Sequence, residues 1–369
     1  MPEPILYVAV TNHGFGHATR TASVVAEIQQ RCPDIRVIMT TTAPRWLLEA
    51  YMDGDFIHRP RAFDIGVVQS DSIQMDKPAT LEKLQDIRQR ANATIASEVT
   101  FLKQNRVGLI LADIPPLMAP IARAAGIPCW MMSNFGWDFI YRDWGGESSW
   151  GDGFIEIADW IADCFGQCDR LYRLPFHEPM SAFPTIVDTG LTGGNPRHTT
   201  DEMRALLNVT APREKTVMIT FGGLGLAEIP YDGLAQFPDW QFITFGDTAP
   251  DLPNIIKIKN RRLRPVDIFG LCGRVISKPG YGTFSEVCRT DTPLVTLTRR
   301  DFAEAQVLID GVCDVVPHQV LEPDEFYTCN WSFLREDPKP PRNPGSVARD
   351  GNEAIAQDVI DYLMAEVSS

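Results

Sequence analysis

Two histidines lie in a short glycine-containing segment near the start of the chain, Thr11-Asn-His13-Gly14-Phe-Gly16-His17. The segment follows an apolar run at residues 5–10, which predicts a strand buried on both faces. Glycines let a backbone approach a ligand closely, and the N-terminus of the following helix favours negative charge. The segment is either part of a ligand site or a tight turn capped by the histidines. A dinucleotide site is excluded, because the third glycine is missing and Thr40-Thr41-Thr42 stands where an acid is needed.

A carboxylate, Asp113, ends a second apolar run that begins at Val107. Carboxyl ends of neighbouring parallel strands meet at one edge of a sheet, so we expect Asp113 to lie near His17. A carboxylate bonded to one imidazole nitrogen orients the ring and raises its basicity, as a general base requires. The alternative is that Asp113 caps the turn before Pro115.

A glycine-rich loop in the second half of the chain, Gly280-Tyr281-Gly282-Thr283, opens a predicted helix. The first N–H groups and the dipole of such a helix suit an anion such as phosphate. Glu286, one turn into the helix, can accept hydrogen bonds from ribose hydroxyls. The residue order is not that of a P-loop. The same pattern also fits a glycine-capped helix start in which the dipole favours Glu286.

Three other segments have residue types that suit a sugar nucleotide or its acceptor. Gly222-Gly223-Leu-Gly225 can lie close to a pyrophosphate, or it is a flexible connection. Residues 298–306 include Asp301, Glu304 and Gln306, which suit sugar hydroxyls or form a solvated loop and helix start. Residues 130–160 hold five of the eight tryptophans, which line an acceptor cleft or, as is more common, belong to the core.

Strand and helix patterns alternate along the chain, which is typical of doubly wound parallel sheets. In the first half, strands are predicted at 5–10, 35–41, 107–114 and 128–133, and helices at 18–30, 79–105 and 117–125. After a break at 191–196, strands are predicted at 216–221, 241–245, 255–259, 275–278 and 294–298, and helices at 266–272, 282–290 and from 303. A proline-rich link at 338–344 leads to a final helix at about 347–366. Two such sheets imply a cleft between them.

The composition excludes several classes of partner. Lys and Arg number 34 against 48 Asp and Glu, a formal net charge of −14, so neither nucleic acid nor an anionic membrane is expected. No apolar run is long enough to span a bilayer, and the N-terminus lacks the basic region of a signal peptide. The eight cysteines are scattered without zinc spacing. We therefore expect reduced thiols, a cytoplasmic protein and no metal site.

Taken together, the motifs resemble the GT-B glycosyltransferases. Within these, the chain is similar to the MurG-like branch, which contains the bacterial undecaprenyl-PP-MurNAc-pentapeptide GlcNAc transferase, and more so to the N-terminal glycosyltransferase-like half of plant L-arabinokinase. The motifs that carry the resemblance run in order through nearly the whole chain: His13-Gly-Phe-Gly-His-Ala-Thr-Arg20, Ser133-Asn-Phe-Gly-Trp-Asp-Phe-Ile-Tyr141, Arg173-Leu-Pro175, Phe221-Gly-Gly223, Gly280-Tyr-Gly-Thr283 with Ser285-Glu286, and Arg299-Arg-Asp301.

The resemblance implies two facing Rossmann-like domains, an interdomain cleft and a C-terminal helix that crosses back to the first domain. The expected boundaries are 1–190 for an acceptor domain, 191–337 for a nucleotide-sugar domain, and 338–369 for the linker and returning helix. It implies donor contacts from Gly222, Gly223, Gly280, Tyr281, Gly282, Thr283, Glu286, Asp301 and Gln306. It implies an acceptor side formed by His13, Gly16, Arg20, Asn134, Trp137 and Asp138.

In the same resemblance, Glu286 matches the ribose-binding acid and Gln306 a glutamine near the donor sugar, although Ala305 replaces the second residue of that pair. His17 and Asp113 fit the base and its orienting acid in the related plant-type transferases. The charge of −14 and the lack of an evident basic, apolar patch argue against a lipid-linked acceptor.

The sequence therefore predicts an inverting, metal-independent glycosyltransferase that moves a sugar from a UDP-sugar to a small hydroxylated acceptor, without a resident cofactor. One alternative is a non-catalytic UDP-sugar-binding regulatory protein. Another is a sugar-nucleotide epimerase of the same fold, for which Asp138, Asp301 and Glu304 are candidate acids. The donor sugar, the acceptor and the oligomeric state are not defined by the sequence.

Overall fold

Two parallel β-sheets, one in each of two units, form the framework of the protein. The computed structural model describes residues 3–69, 75–146, 151–222, 229–328 and 330–368. The first unit comprises Met1–Gln69, Met75–Thr192 and Ala348–Ser369, and the second contains Gly193–Val347. The first unit is therefore discontinuous in sequence.

The first unit has seven parallel strands in the order β3-β2-β1-β4-β5-β6-β7. The strands are β1 (Ile5–Val10), β2 (Arg36–Thr40), β3 (Ile57–Arg59), β4 (Leu109–Asp113), β5 (Cys129–Ser133), β6 (Arg170–Arg173) and β7 (Ile186–Asp188). The helices are α1 (Gly16–Arg31), α2 (Arg45–Tyr51), α3 (Lys77–Gln104), α4 (Met118–Ala125), α5 (Trp137–Trp144) and α6 (Gly151–Phe165). The central strands β1 and β4 are almost wholly buried, as expected for parallel strands covered on both faces.

Helix α1 starts at Gly16, directly after the turn that follows β1. Gly14 in that turn has a φ of +61°, a left-handed conformation that strains any residue with a Cβ atom. The apolar buried residues of α1 recur at helical spacing: Ala18, Ala22, Val25 and Ile28. Four polar residues of α1 are also buried, among them His17 and Arg20. The helix therefore carries two nitrogen-bearing side chains into the interior beside the end of β1.

The second unit has six parallel strands in the order β10-β9-β8-β11-β12-β13. The strands are β8 (Thr216–Ile219), β9 (Gln241–Thr244), β10 (Ile255–Lys257), β11 (Arg274–Ser277), β12 (Leu294–Leu297) and β13 (His318–Leu321). The helices are α7 (Thr200–Leu207), α8 (Pro265–Phe269), α9 (Tyr281–Arg289), α10 (Ala303–Val315) and α11 (Pro323–Thr328). Aromatic side chains are prominent in its core: Phe221, Phe242, Phe326, Trp331 and Phe333.

The final helix, α12 (Gly351–Ser368), belongs to the first unit and packs against α1. Its buried residues follow a spacing of four: Ile355, Val359 and Leu363. The segment before it is anchored to the end of the first sheet, because the amide of Leu191 donates to the carbonyl of Ala348 over 2.8 Å. The last residues of the chain thus support the helix that carries His17.

The predicted fold class is confirmed, since both halves are doubly wound parallel sheets. Several elements were not predicted: α2, β3, α5, α6, β6 and β7 in the first unit, and α7, α11 and β13 in the second. Strands β3 and β7 have three residues each, which is too short to show a hydrophobic period. The final helix starts at Gly351, later than predicted.

Two features of the described residues concern the environment of the protein. None of the helices in this part of the chain combines the length and the apolar character needed to cross a membrane. The seven described cysteines are free thiols, and Cys32 is the one of them that is not buried.

Candidate functional site

The two side chains predicted to act in catalysis lie where the strand order of the first sheet reverses. β1 has β2 on one side and β4 on the other. In the pairing of β1 with β4, Val10 stands opposite Asp113, and the amide of Thr11 donates to the Asp113 carbonyl over 3.0 Å. The turn after β1 and the end of β4 therefore share one edge of the sheet. Ligands of doubly wound sheets bind at such an edge.

His17 and Asp113 are in direct contact. His17 Nδ1 lies 2.8 Å from Asp113 Oδ1. The carboxylate is fully buried and His17 is 7% exposed. An ionised carboxylate can only accept, so Nδ1 carries the proton, and in the neutral imidazole Nε2 then keeps its lone pair. In this tautomer, Nε2 can take a proton from a ligand.

Arg20 binds the same carboxylate in a bidentate manner. Its Nε donates to Asp113 Oδ2 and its Nη2 to Oδ1, each over 2.6 Å. The Thr21 hydroxyl adds a bond of 3.1 Å to Oδ2. Burial acts to raise the pKa of Asp113, but the Arg20 charge and the His17 imidazole outweigh it and lower the pKa to about 2. The carboxylate therefore stays ionised at neutral pH.

Two residues predicted on the acceptor side, Arg20 and Asn134, form a layer behind His17. Arg20 Nη1 donates to Asn134 Oδ1 over 2.7 Å, and Nη2 donates to the Ser133 hydroxyl over 3.0 Å. Arg20 is 1% exposed and Asn134 is fully buried. Arg20 Nη2 also lies 3.0 Å from His17 Nδ1, but both groups are donors in the tautomer above, so Asp113 is their common acceptor.

Aromatic rings surround the two histidines. The ring centroids of His13 and Trp137 are 5.2 Å apart, and those of His17 and Phe135 are 5.7 Å apart. Trp137 and Phe135 are buried, as are Trp130 and Trp144, which fits the core interpretation of this cluster, whereas Trp160 is partly exposed. Trp150 lies outside the described residues.

The predicted acceptor-side residues differ in exposure. His13 is partly exposed and Gly16 is exposed, so a ligand can reach them. Asp138, in the first turn of α5, is also partly exposed, and its carboxylate lies over Gly136 so closely that a Cβ atom there would overlap it. Burial raises the pKa of Asp138 to about 6, although amide hydrogen bonds lower it.

A second buried carboxylate, Asp64, was missed by the sequence analysis. It follows β3 and accepts hydrogen bonds from the Thr11 hydroxyl and, over 2.7 Å, from the amide of Asn12. Trp137 Nε1 donates to the same Thr11 hydroxyl over 2.9 Å. Burial raises the pKa of Asp64 to about 7 despite these bonds. No sequence signal marks this residue, because β3 is too short to be predicted.

In the second sheet, the strand order reverses between β8 and β11. The amide of Thr220 donates to the carbonyl of Ile276 over 2.9 Å, so the loops that follow the two strands are adjacent. Gly222 has a φ of +77°, and a Cβ atom there would lie 3.8 Å from Lys278 Cε. Gly223, the other glycine predicted to meet a diphosphate, lies outside the described residues.

The loop after β11 forms the start of α9. Gly280 is the N-cap and the helix begins at Tyr281, so Gly282 and Thr283 lie in its first turn. N–H groups in a first helical turn have no acceptor within the helix. This first turn, all of it within the described residues, contains no acid. The position is therefore electropositive and suits a phosphate group.

The other predicted donor residues lie on α9 and after β12. Glu286 is 4% exposed, and its Oε1 accepts a hydrogen bond of 3.0 Å from the amide of Gly194. The carboxylate thus joins α9 to the first residues of the second unit. Asp301, with a φ of +65°, and Gln306 on α10 are both exposed. Among the described residues, no group of three or more His, Cys, Asp or Glu side chains is placed to hold a metal ion.

The fold is that of the GT-B glycosyltransferases. Along nearly its whole length, the chain is similar to the glycosyltransferase of kitacinnamycin, with a TM-score of 0.57, 15% identity, and coverage of 99% of this chain and 96% of that one. It is also similar in fold to Arabidopsis thaliana UGT89C1 complexed with UDP-L-rhamnose, with a TM-score of 0.58, 14% identity, and coverage of 100% of this chain and 99% of that one. A third such structure is Phytolacca americana UGT2 complexed with UDP-2fluoro-glucose and pterostilbene, with a TM-score of 0.57, 12% identity, and coverage of 98% and 94%.

In sequence, the chain is similar to L-arabinokinase of Arabidopsis thaliana, with 29% identity over 338 residues. The match covers 89% of this chain but 30% of the arabinokinase, so the chain corresponds to less than a third of that protein. No protein-family model matches the chain.

Proposed function

We propose that the protein is a UDP-sugar-dependent glycosyltransferase acting on a small hydroxylated acceptor. The observation that carries the proposal is the contact of 2.8 Å between His17 and Asp113 at the β1–β4 edge. This contact supports a role for His17 as a base, because the Nε2 lone pair faces away from the carboxylate partner of Nδ1. The GT-B fold, shared with structures complexed with UDP-sugars, supplies the class of donor.

The first unit activates the acceptor. His17 Nε2 removes the hydroxyl proton as the acceptor oxygen attacks the anomeric carbon, and Asp113 stabilises the imidazolium that forms. The buried Arg20–Asn134 layer holds the carboxylate in place. His13 and Gly16, the more exposed residues of the turn, are assigned to contact with the acceptor.

The second unit holds the donor. Amides at Gly222 and at the start of α9 bind the diphosphate, with the helix dipole behind them. The bond between the anomeric carbon and the diphosphate oxygen breaks as the new glycosidic bond forms, and UDP leaves with its charge stabilised by these amides. Lys278 adds a positive charge at the same edge. Glu286 is assigned to the ribose hydroxyls, and Asp301 and Gln306 to the sugar.

The reaction is proposed to invert the anomeric centre and to need neither a metal nor a resident cofactor. One displacement with a single base inverts configuration, and helix amides take the role that a cation has in other transferases. We therefore expect UDP release to continue in the presence of EDTA. NMR of the anomeric proton of the product would report the stereochemistry.

The motifs quoted above favour a position near the MurG-like branch and the arabinokinase region. The match to L-arabinokinase supports the second of these. The buried free thiols support a reducing, cytosolic location.

The test is UDP release from a panel of UDP-hexoses and UDP-pentoses with phenolic and sugar acceptors, for wild type and His17→Ala. Loss of the base is expected to lower kcat by roughly 10²–10⁴-fold. UDP binding, measured by calorimetry, should stay unchanged because Glu286 and α9 lie in the other unit. Unchanged turnover in His17→Ala would refute the assignment of the base. Binding of UDP without turnover of any donor would favour a regulatory protein, and a new sugar nucleotide formed without acceptor would favour an epimerase.

A further inference from the structure

We propose that Asp64 is a positioning residue that fixes the turn carrying His13 and His17 and ties it to Trp137. Its effect on catalysis rests on the proposed function, but its structural role can be measured without turnover. Asp64 touches neither His17 nor, in our assignment, the substrate. It acts through the residues that begin the turn.

The contacts of Asp64 reach the first two residues after β1. One carboxylate oxygen accepts the amide hydrogen of Asn12 over 2.7 Å, and the other accepts the hydroxyl hydrogen of Thr11. Thr11 is also bonded through its amide to the Asp113 carbonyl. The turn is therefore held at its start from two sides, by the Asp64 carboxylate in the loop after β3 and by the backbone carbonyl of the last residue of β4.

The hydrogen bonds around Thr11 have a defined direction. Trp137 Nε1 is a donor only, so the Thr11 oxygen accepts from the indole over 2.9 Å. The Thr11 hydrogen is then directed to Asp64, because an ionised carboxylate can accept a hydrogen bond but cannot donate one. The Trp137 indole, the Thr11 hydroxyl and the Asp64 carboxylate form one hydrogen-bond relay. The ionised carboxylate fixes the direction of its bonds, from Trp137 through Thr11 to Asp64.

The loop that carries Asp64 also closes on His13. Gly66 has a φ of +56°, and a Cβ atom there would lie 2.5 Å from His13 Cβ. The Tyr141 hydroxyl donates to the Gly66 carbonyl over 2.5 Å. A small cavity lined mainly by apolar side chains, including Trp137 and Tyr141, lies beside Asp64. The loop with Asp64 and Gly66 therefore packs against both the turn that carries His13 and the aromatic side chains of α5.

Burial places the ionisation of Asp64 in the neutral range, because it raises the pKa to about 7, with a smaller contribution from the Asp113 charge. Two titratable groups interact with Asp64 through their charges: Asp113 at the end of β4 and Tyr141 on α5. His13, in the turn, contacts the same loop at Gly66. Asp113 stays ionised and the pKa of Tyr141 is raised well above its ordinary value. Below neutrality, protonation makes Asp64 a weaker acceptor for the Thr11 hydroxyl and gives the carboxyl an O–H donor of its own. We therefore expect the relay to tighten as pH rises through about 7.

The test follows the indole N–H signal of Trp137 by NMR on tryptophan-labelled protein, assigned with Trp137→Phe. In wild type, its chemical shift and hydrogen-exchange rate should change with a midpoint near pH 7. Asp64→Asn should abolish this pH transition. Thr11→Val, which removes the acceptor hydroxyl, should speed the hydrogen exchange of the indole N–H about 10-fold. Thr11→Ser, which keeps the hydroxyl, should retain the wild-type exchange rate. Asp76→Asn, at an exposed carboxylate that caps α3, is the matched control and should behave as wild type. An indole signal that is the same in wild type, Asp64→Asn and Thr11→Val overturns the proposal.

A kinetic arm separates this inference from the proposed function. Asp64→Asn should lower kcat/KM about 10-fold to 100-fold, because small displacements of a catalytic group are costly, while the Kd for UDP stays unchanged. Wild type without transferase activity but with the indole transition would refute the proposed function and leave the role of Asp64 supported. An active wild type with unchanged kcat/KM in Asp64→Asn would refute the positioning role.

Discussion

Replacement of Asp113 by Asn tests the centre of the first unit, because this carboxylate accepts bonds from His17, Arg20 and Thr21. Asn keeps one acceptor oxygen, but its NH₂ group would face side chains that are themselves hydrogen-bond donors. A buried Arg20 charge then loses its partner, which costs about 3–5 kcal/mol in the free energy of unfolding. The shift of the Asp113 pKa from 3.8 to about 2 accounts for roughly 2 kcal/mol of this loss in unfolding free energy, because a pKa change of one pH unit corresponds to about 1.36 kcal/mol.

The pH dependence of this stabilisation has a defined sign. Because the folded-state pKa is lowered, the stabilisation is present above about pH 4 and is lost as pH falls toward 2. Urea unfolding at pH 7 and pH 3, followed by tryptophan fluorescence, should therefore show a larger gap between wild type and Asp113→Asn at pH 7. We also expect kcat to fall roughly 10³–10⁴-fold, since the wrong tautomer of His17 is stabilised. A variant as stable as wild type at both pH values would show that the carboxylate is not held as described.

Three other substitutions probe other parts of the fold. Glu286→Gln should raise the Kd for UDP about 10-fold, as expected when a charged hydrogen bond is weakened; calorimetry measures this, and a change below twofold would argue against the ribose assignment. Gly14→Ala should lower the free energy of unfolding by about 1 kcal/mol because of the φ of +61°, while Gly146→Ala, at an open position, should change little; equal melting temperatures would contradict this. Glu98→Gln should destabilise the first unit by about 1.5–3 kcal/mol, because fully buried Glu98 accepts charged hydrogen bonds from the partly exposed Arg59 and Arg61; unfolding in urea reports it, and a loss below 1 kcal/mol would contradict it.

The sequence predicted the parts of the fold that long periodic segments define. β1, α1, α3 and β4 were located to within a few residues because their apolar patterns are continuous. The proximity of His17 and Asp113 followed from one rule, that carboxyl ends of adjacent parallel strands meet. The grouping of Gly222 with the Gly280 loop was instead implied by the resemblance to the GT-B glycosyltransferases.

The remaining details of the site depend on contacts that spacing does not encode. Asp64 follows a strand of three residues, so nothing in the sequence assigned it to a strand end. Arg20 was predicted to face the acceptor, yet it lies one turn beyond His17 and points at Asp113, because two charges in the interior must pair. Trp137 belongs to a helix that the sequence did not show, and its indole bond to Thr11 depends on tertiary packing alone.

The pairing of α1 with α12 has a consequence for synthesis on the ribosome. Nearly all of the second unit lies in one stretch, Gly193–Val347, so it can fold as soon as Val347 has emerged. The unit that starts first along the chain is completed last, because α1 must wait for Ile355, Val359 and Leu363. A nascent polypeptide that lacks α12 thus exposes one apolar side of α1, and chaperones that bind such surfaces would meet the N-terminal unit before it closes.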